Sequence, residues 1–355
     1  MTNFERPNIR AMQGYSWGEQ PQEAETIKLN TNECPYPPSP QVDQVFAEMR
    51  GADLRRYPSP TADTLRDAVA QHHNLRRDQV VITHAGDEAL RLAFTTFVEP
   101  AGRFGMAEPS YSLYPVLASI QDAELIRIPL TDSWALPTDT ASQLNAARVQ
   151  LTCIVNPHAP SGQLTSASAL GDLAIQLNGV LLIDEAYADF VDPNFGYNAS
   201  KLLADHENVL ILRTFSKGYA LAGLRLGYLL GNTSLIKPII EKTRDSYNVD
   251  AISQRIGLAA INDQRYAQDM WARVRANRQQ LQRDLDALGL SSLDSQTNFL
   301  LVDVPNAEDV YLALKERNIL VRYFSAPRLS DKLRISVGSE AENQALCRAL
   351  EDILR

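Results

Sequence analysis

Between residues 41 and 247 the chain alternates short apolar runs with stretches whose apolar residues recur every three or four positions, a pattern of strands alternating with helices. The runs Leu-Thr-Cys-Ile-Val at 151–155, Val-Leu-Leu-Ile at 180–183 and Val-Leu-Ile-Leu at 209–212 show no regular alternation of apolar and polar residues. Each therefore reads as a strand of a parallel sheet covered by helices on both faces. Polar residues follow each run at once: Asn156, then Asp184 and Glu185, then Arg213, Thr214, Ser216 and Lys217. Open α/β sheets bind ligands beyond the carboxyl ends of their strands, so these three runs aim their polar groups at one edge.

After Tyr247 the pattern changes to long helical stretches over roughly 251–288, then to apolar runs at 297–302, 319–324 and 333–337. In the last run Leu333, Ile335 and Val337 share one face and Arg334 and Ser336 the other, which presents Arg334 to a cleft. The expected fold class is α/β: a three-layer large domain with a mostly parallel central sheet over 41–247, and a smaller α/β C-terminal domain over 248–355. Residues 1–40, with Pro-Tyr-Pro-Pro-Ser-Pro at 35–40, read as an extended N-terminal arm packing on the small domain and on a partner subunit.

At 355 residues the chain is long enough for two such lobes. Its net charge of -9 argues against nucleic acid or a membrane surface as partner, since both call for a cationic face. Cys34, Cys153 and Cys347 are far apart, so structural zinc and a disulfide framework are not expected. The opening residues lack a basic start followed by an apolar stretch, and no run approaches the roughly 20 apolar residues of a membrane span. A cytoplasmic location is expected.

The segment Arg-Thr-Phe-Ser-Lys-Gly at 213–218 sets two hydroxyls beside a lysine just past a buried strand. A lysine in a partly desolvated pocket can be neutral enough to attack an aldehyde, although most lysines simply face solvent. Eight residues on, Arg225 could grip a phosphate with its planar fork or join a surface ion pair. Asp184 closes an apolar strand. It could bind Mg²⁺ in a P-loop ATPase, but the required glycine-rich Gly-Lys-Ser/Thr loop is absent from the sequence. It could be a capped structural aspartate, or it could face a protonated pyridine nitrogen. Ala85 and Gly86, between an apolar strand and an amphipathic helix, would let a phosphate approach free N–H groups, or merely form a turn. No dinucleotide fingerprint, nucleophile elbow or zinc-binding His-Glu-x-x-His occurs, and His72, His73, His84, His158 and His206 lack metal-ligand spacing.

Taken in order, Gly-Asp-Glu-Ala-Leu at 86–90, Asn-Pro-His-Ala-Pro-Ser-Gly at 156–162, Asp-Glu-Ala-Tyr at 184–187, Ser-Lys-Gly at 216–218 and Ala-Gly-Leu-Arg-Leu-Gly at 222–227 resemble the fold-type I, class I/II pyridoxal-phosphate aminotransferases. Within them the likeness is nearest to the histidinol-phosphate aminotransferase family. It extends to Leu-Asn-Thr-Asn-Glu at 29–33, Arg-Arg-Tyr-Pro at 55–58, Glu-Pro-Ser-Tyr-Ser-Leu-Tyr at 108–114, Thr-Asn-Phe at 297–299 and Leu-Arg-Ile-Ser-Val-Gly at 333–338. The resemblance implies that Lys217 holds pyridoxal 5′-phosphate covalently and later moves a proton. Asp184 would pair with the ring nitrogen, Asn156 and Tyr187 would bond the phenolic oxygen, and Tyr111 would stack on the ring. Ala85, Gly86, Asp87, Thr214, Ser216 and Arg225 would surround the phosphate, with Tyr57 arriving from the other subunit. Arg334 would grip a carboxylate, with Tyr15, Tyr57 and Arg322 at the far end of the substrate. A homodimer with shared active sites follows, with a small amino donor and an oxo-acid acceptor as partners.

The family's usual Asn-Pro-Asn-Asn-Pro-Thr-Gly has His158 and Ala159 in place of two asparagines, and Cys34 and His84 also depart from its pattern. These changes bear on the substrate more than on the reaction class. The favoured pair is histidinol phosphate with 2-oxoglutarate. The competing readings are an aromatic aminotransferase, a decarboxylase related to the threonine-phosphate enzymes, and a non-catalytic ligand-binding module.

Overall fold

The computed structural model describes residues 4–21, 23 and 25–355. The short strand β1 (Ile27–Lys28) lies outside the central layer. That layer is formed by β2 (Val80–Thr83), β3 (Arg103–Glu108), β4 (Glu124–Pro129), β5 (Leu151–Val155), β6 (Val180–Asp184), β7 (Val209–Thr214) and β8 (Gly227–Gly231). They run in the order β2-β8-β7-β6-β5-β3-β4. The strands from β4 to β7 pair in parallel, and β8 alone runs antiparallel to both neighbours. The mostly parallel sheet expected from the unalternating runs is therefore present.

Period-two alternation sorts the core of this sheet into two layers. Leu182, Leu210 and Leu212 pack with Ala89, Leu90 and Phe94 of the helix Ala85–Phe97 on one face. Leu181, Ile183 and Ile211 pack with Leu65 and Val69 of the helix Asp63–His72 on the other. Each fully buried aliphatic side chain contributes about 1.5–3 kcal/mol, so the two layers hold the strand ends rigidly.

In the C-terminal part β9 (Phe299–Asp303), β10 (Ile319–Leu320), β11 (Arg322–Tyr323) and β12 (Lys332–Ser336) do not form one sheet. β11, β12 and β9 pair antiparallel in that order, whereas β10 pairs in parallel with β1. The run 319–324, expected as one strand, thus divides at Val321. The N-terminal arm supplies the partner for its first half, and a local pattern carries no sign of that partner. The backbone N–H of Leu29 donates to Leu320, and Ser336 N–H donates to the Leu29 carbonyl, which ties the arm to both sheets. The helical stretch also divides, into Ala251–Asn262 and Gln264–Ala287, because Asp263 leaves the helix to accept bonds from Tyr266 N–H and the Ser39 hydroxyl. Among the described residues no helix is long and apolar enough to cross a membrane.

Candidate active site

Asp184 ends β6 and is 4 % exposed. Its carboxylate accepts hydrogen bonds from the Tyr114 hydroxyl at 2.7 Å and from Ala186 N–H at 3.1 Å. Burial pushes its carboxyl up to about 6, against the pull of those two donors. Tyr114 was not among the residues expected at the site. The segment 108–114 offers two tyrosines three positions apart, and only the start of the helix Leu113–Gln121 turns Tyr114 inward beneath Asp184. Tyr111 stands edge-on to Tyr114, with ring centroids 5.5 Å apart, and to Tyr15 at 6.0 Å. The expected Tyr15 and Tyr111 therefore meet.

Lys217 lies in the turn after β7, half-buried, and its Nζ donates to the Thr31 carbonyl at 2.7 Å. Burial, helped by Arg334, lowers its ammonium to about 8, so an appreciable fraction is neutral near physiological pH. The arm reaches two further site residues. Asn32 donates to the Tyr187 hydroxyl at 3.0 Å, which leaves the Tyr187 proton available to donate elsewhere. Arg334 donates to the Asn30 carbonyl at 3.0 Å. Residues 30–32 thus touch Lys217, Tyr187 and Arg334 together, a convergence that the irregular sequence of the arm does not reveal.

At the opposite end, His84 precedes the helix Ala85–Phe97 without a side-chain cap among the described residues, so its first N–H groups lack that acceptor. Ala85 takes a φ of 62° and Arg225 a φ of 58°, both left-handed. A side chain on Gly227 would lie 2.9 Å from the Ala85 carbonyl carbon, so glycine there lets β8 close against this turn. Arg225 pairs with Asp87 at 3.0 Å, and Ser216 N–H donates to the Thr214 hydroxyl, which in turn donates to the Ser216 hydroxyl. The structure brings together Ala85, Gly86, Asp87 and Arg225, with Thr214 and Ser216 on the adjoining turn.

Asn156 has a different setting from the one expected. The Asn156 amide is fully committed: it donates to the Thr165 carbonyl at 3.0 Å and to Tyr197 at 2.8 Å, and accepts from Thr165 N–H at 2.8 Å. It buttresses the 156–165 turn, while buried Ala159 packs with Val155, Phe299 and Tyr187. Tyr57 is 79 % exposed and stacks on Tyr247 at 4.4 Å. Of the departures from the family pattern, His158 is buried. Its Nε2 can only donate to the Pro109 carbonyl, at 2.9 Å, so Nδ1 accepts from Ser161 at 2.7 Å, and burial lowers this imidazole to about 4.

Arg322 and Arg334 sit directly opposite each other on β11 and β12. Both guanidinium groups lie over the Phe324 ring, at 5.3 and 5.5 Å. Among the described residues the buried Arg334 Nε has no hydrogen-bond partner and Arg322 is in no ion pair. Two neighbouring cations so arranged suit an anionic ligand.

Pyridoxal phosphate has an aldehyde, a basic ring nitrogen and a phosphate, and each finds a matching group here. The aldehyde meets a lysine of lowered basicity, the nitrogen a buried carboxylate held by Tyr114 and Ala186, and the phosphate a helix start beside Arg225 and two hydroxyls. The donor set fits the cofactor.

Comparison with known proteins points the same way. The family model for aminotransferases of class I and II matches residues 24–350. The chain is 44% identical to histidinol-phosphate aminotransferase 1 of Nostoc sp., covering 100% of this chain and 99% of that one. It is 39% identical to the histidinol-phosphate aminotransferase of Chromohalobacter salexigens, covering 100% of both. The fold is that of the Sinorhizobium meliloti histidinol-phosphate aminotransferase crystallised with pyridoxal-5′-phosphate, with a TM-score of 0.90 at 24% identity over 100% of this chain and 98% of that one. The residues around Lys217, the sheet that carries them and a match over nearly the whole length lead to one conclusion: this chain belongs to the class I and II aminotransferases and is a pyridoxal-phosphate-dependent transaminase.

Proposed function

We propose that this enzyme transaminates histidinol phosphate with 2-oxoglutarate as acceptor, in an active site shared between two copies of the chain. The observation that carries this reading is the pair Arg322 and Arg334, adjacent in register, with the buried Nε of Arg334 lacking a partner among the described residues. Histidinol phosphate presents a phosphate, and glutamate and 2-oxoglutarate present two carboxylates, so either partner can use the same two cations in turn. The full-length relatives, histidinol-phosphate aminotransferases of Nostoc sp. and Chromohalobacter salexigens, support this choice of substrate.

When bound, pyridoxal phosphate supplies an electrophilic aldehyde and an electron sink. The chain's own residues do the rest. Lys217 provides the amine that holds the cofactor and then carries a proton at Nζ. Asp184 keeps a negative charge beside the ring nitrogen, and Tyr114 fixes the orientation of that carboxylate. Tyr187 donates its free proton toward the phenolic oxygen, while Asn156 holds the turn beneath it. Tyr111 covers the ring, and Ala85, Gly86, Asp87, Thr214, Ser216 and Arg225 seat the phosphate. Arg334 grips the carboxylate of the amino acid, with Arg322 and Tyr15 at the distal group.

The exposure of Tyr57 suits delivery to the site of a second copy, the basis for reading the enzyme as a homodimer. Residues 1–40 are the arm, 41–247 the cofactor-binding domain and 248–355 the smaller domain in this reading. The test is a half-reaction screen. The loaded enzyme is mixed in turn with histidinol phosphate, glutamate, phenylalanine and tyrosine, and the change of its visible band is followed. Rapid conversion by histidinol phosphate is expected, and an inert response to it beside a rapid one to aromatic amino acids overturns the substrate assignment.

A further inference from the structure

Asp184 and Glu185 are adjacent at the end of a strand and so point to opposite faces of the sheet. Asp184 turns toward Tyr114 and the cofactor residues, Glu185 toward Arg213, whose Nη1 donates to it at 2.9 Å. The same guanidinium bonds Asp189 through Nη2. The three side chains are 4, 13 and 3 % exposed for Glu185, Arg213 and Asp189. Two carboxylates thus share one cation in the interior.

We propose that Glu185, Arg213 and Asp189 form a positioning network that clamps the end of β6, which carries Asp184, to the turn that carries Lys217, and so sets the reach of the Lys217 amine toward the cofactor. The clamp acts on the backbone at both ends. Arg213 belongs to β7, four residues before Lys217. Asp189 packs against the backbone of Gly218, where an added Cβ would fall 2.0 Å from its Oδ2. The Trp271 indole fixes the same residue by donating to the Gly218 carbonyl. On the far side Glu185 accepts a 2.6 Å bond from the Tyr197 hydroxyl, which itself accepts from Asn156 at 2.8 Å. One chain of hydrogen bonds therefore joins the ends of β5, β6 and β7.

Stability alone does not account for this arrangement. Burying three charges costs several kcal/mol per ion in desolvation, and well-packed apolar residues of equal volume are often as stable or more so. An apolar cluster would not fix the angle between two strand ends; a forked guanidinium with a carboxylate on each side does.

The proposal rests on the reading of Lys217 as the cofactor-holding amine. The experiment compares wild type with Asp189→Asn, Glu185→Gln, Arg213→Lys and Arg213→Met. Three quantities are read: the rate at which added pyridoxal phosphate is captured, the visible circular dichroism of the loaded protein, and the melting temperature. The Asn and Gln variants each keep one ion pair and so retain the fold even where Arg213→Met does not. The expected result is capture slowed about tenfold or more by Asp189→Asn, equivalent to about 1.4 kcal/mol, with a changed dichroism amplitude. Partial recovery in Arg213→Lys relative to Arg213→Met is expected as well. Variants that melt earlier but capture the cofactor and show the dichroism of wild type overturn the network alone. A wild-type chain that captures no cofactor overturns the reading of Lys217, and the network with it.

Discussion

The Tyr114 hydroxyl donates a 2.7 Å hydrogen bond to the buried carboxylate of Asp184, and among the described residues no other side chain does so. Tyr114→Phe removes a bond to a charged acceptor, a loss of about 1.5–3 kcal/mol. Because Tyr114 holds the Asp184 carboxyl down against burial, the variant's carboxyl rises further above 6. The acid limb of cofactor affinity is expected to move to higher pH, measured by titrating the purified protein with pyridoxal phosphate between mildly acid and neutral pH. An unmoved limb would show that Tyr114 does not govern this carboxylate.

Asp184 also imposes a pH-dependent cost on the cofactor-free protein. Its carboxyl is raised from 3.8 to about 6, so the folded state holds its proton more tightly than the unfolded state. The stabilising, protonated form is complete below 3.8 and is lost as pH rises through 6. A shift of this size corresponds to on the order of 3 kcal/mol. Asp184→Asn should therefore stabilise the cofactor-free protein at pH 7 and above, with the gain vanishing near pH 4, while transamination is lost. Thermal melts of both proteins at several pH values check the sign.

Lys217 works in the opposite direction. Its ammonium is lowered from 10.5 to about 8, so the folded state prefers the neutral amine, and stability from this group grows as pH rises between those values. Only the neutral amine attacks an aldehyde, so the rate of cofactor capture should climb with a midpoint near 8. Stopped-flow absorbance over that range measures it. Lys217→Ala should capture no cofactor covalently and show no transamination.

Arg322 and Arg334 should separate in kinetics. Arg322→Met is expected to raise KM for histidinol phosphate and for glutamate about tenfold or more, with a smaller effect on a monocarboxylate amino acid that has no distal anion. Arg334→Lys should impair every carboxylate substrate, because an ammonium cannot reproduce the two-pronged contact of a guanidinium. Equal losses on all substrates for both variants would refute this division of labour.

Gly227 tests the fit of β8 against the phosphate turn. In Gly227→Ala the new methyl meets the Ala85 carbonyl carbon and the Arg213 carbonyl oxygen, both at 2.9 Å. Both are backbone atoms that cannot rotate away. The variant should lose about 1–3 kcal/mol of stability and bind pyridoxal phosphate more weakly, as read by chemical denaturation and cofactor titration.

The central sheet and its polar edge are legible in the residues alone. Unalternating runs of Leu, Ile and Val can be buried only with helices on both faces, and whatever follows them must emerge at one edge. Asp184 and Lys217 are expected at that edge for this reason, and the order of short motifs points to the family. What each polar group does with its hydrogen bonds follows instead from the packing of distant elements. Period-two alternation implies that Asp184 and Glu185 diverge, yet not that Tyr114 waits on one side and Arg213 on the other. Asn156, expected at the cofactor, spends its amide on Thr165 and Tyr197 because the turn folds back on it. The arm at 30–32 meets Lys217, Tyr187 and Arg334 across up to 304 positions of chain. Such contacts depend on the packing of elements distant in sequence, whereas local periodicity reports only which face of each element is buried.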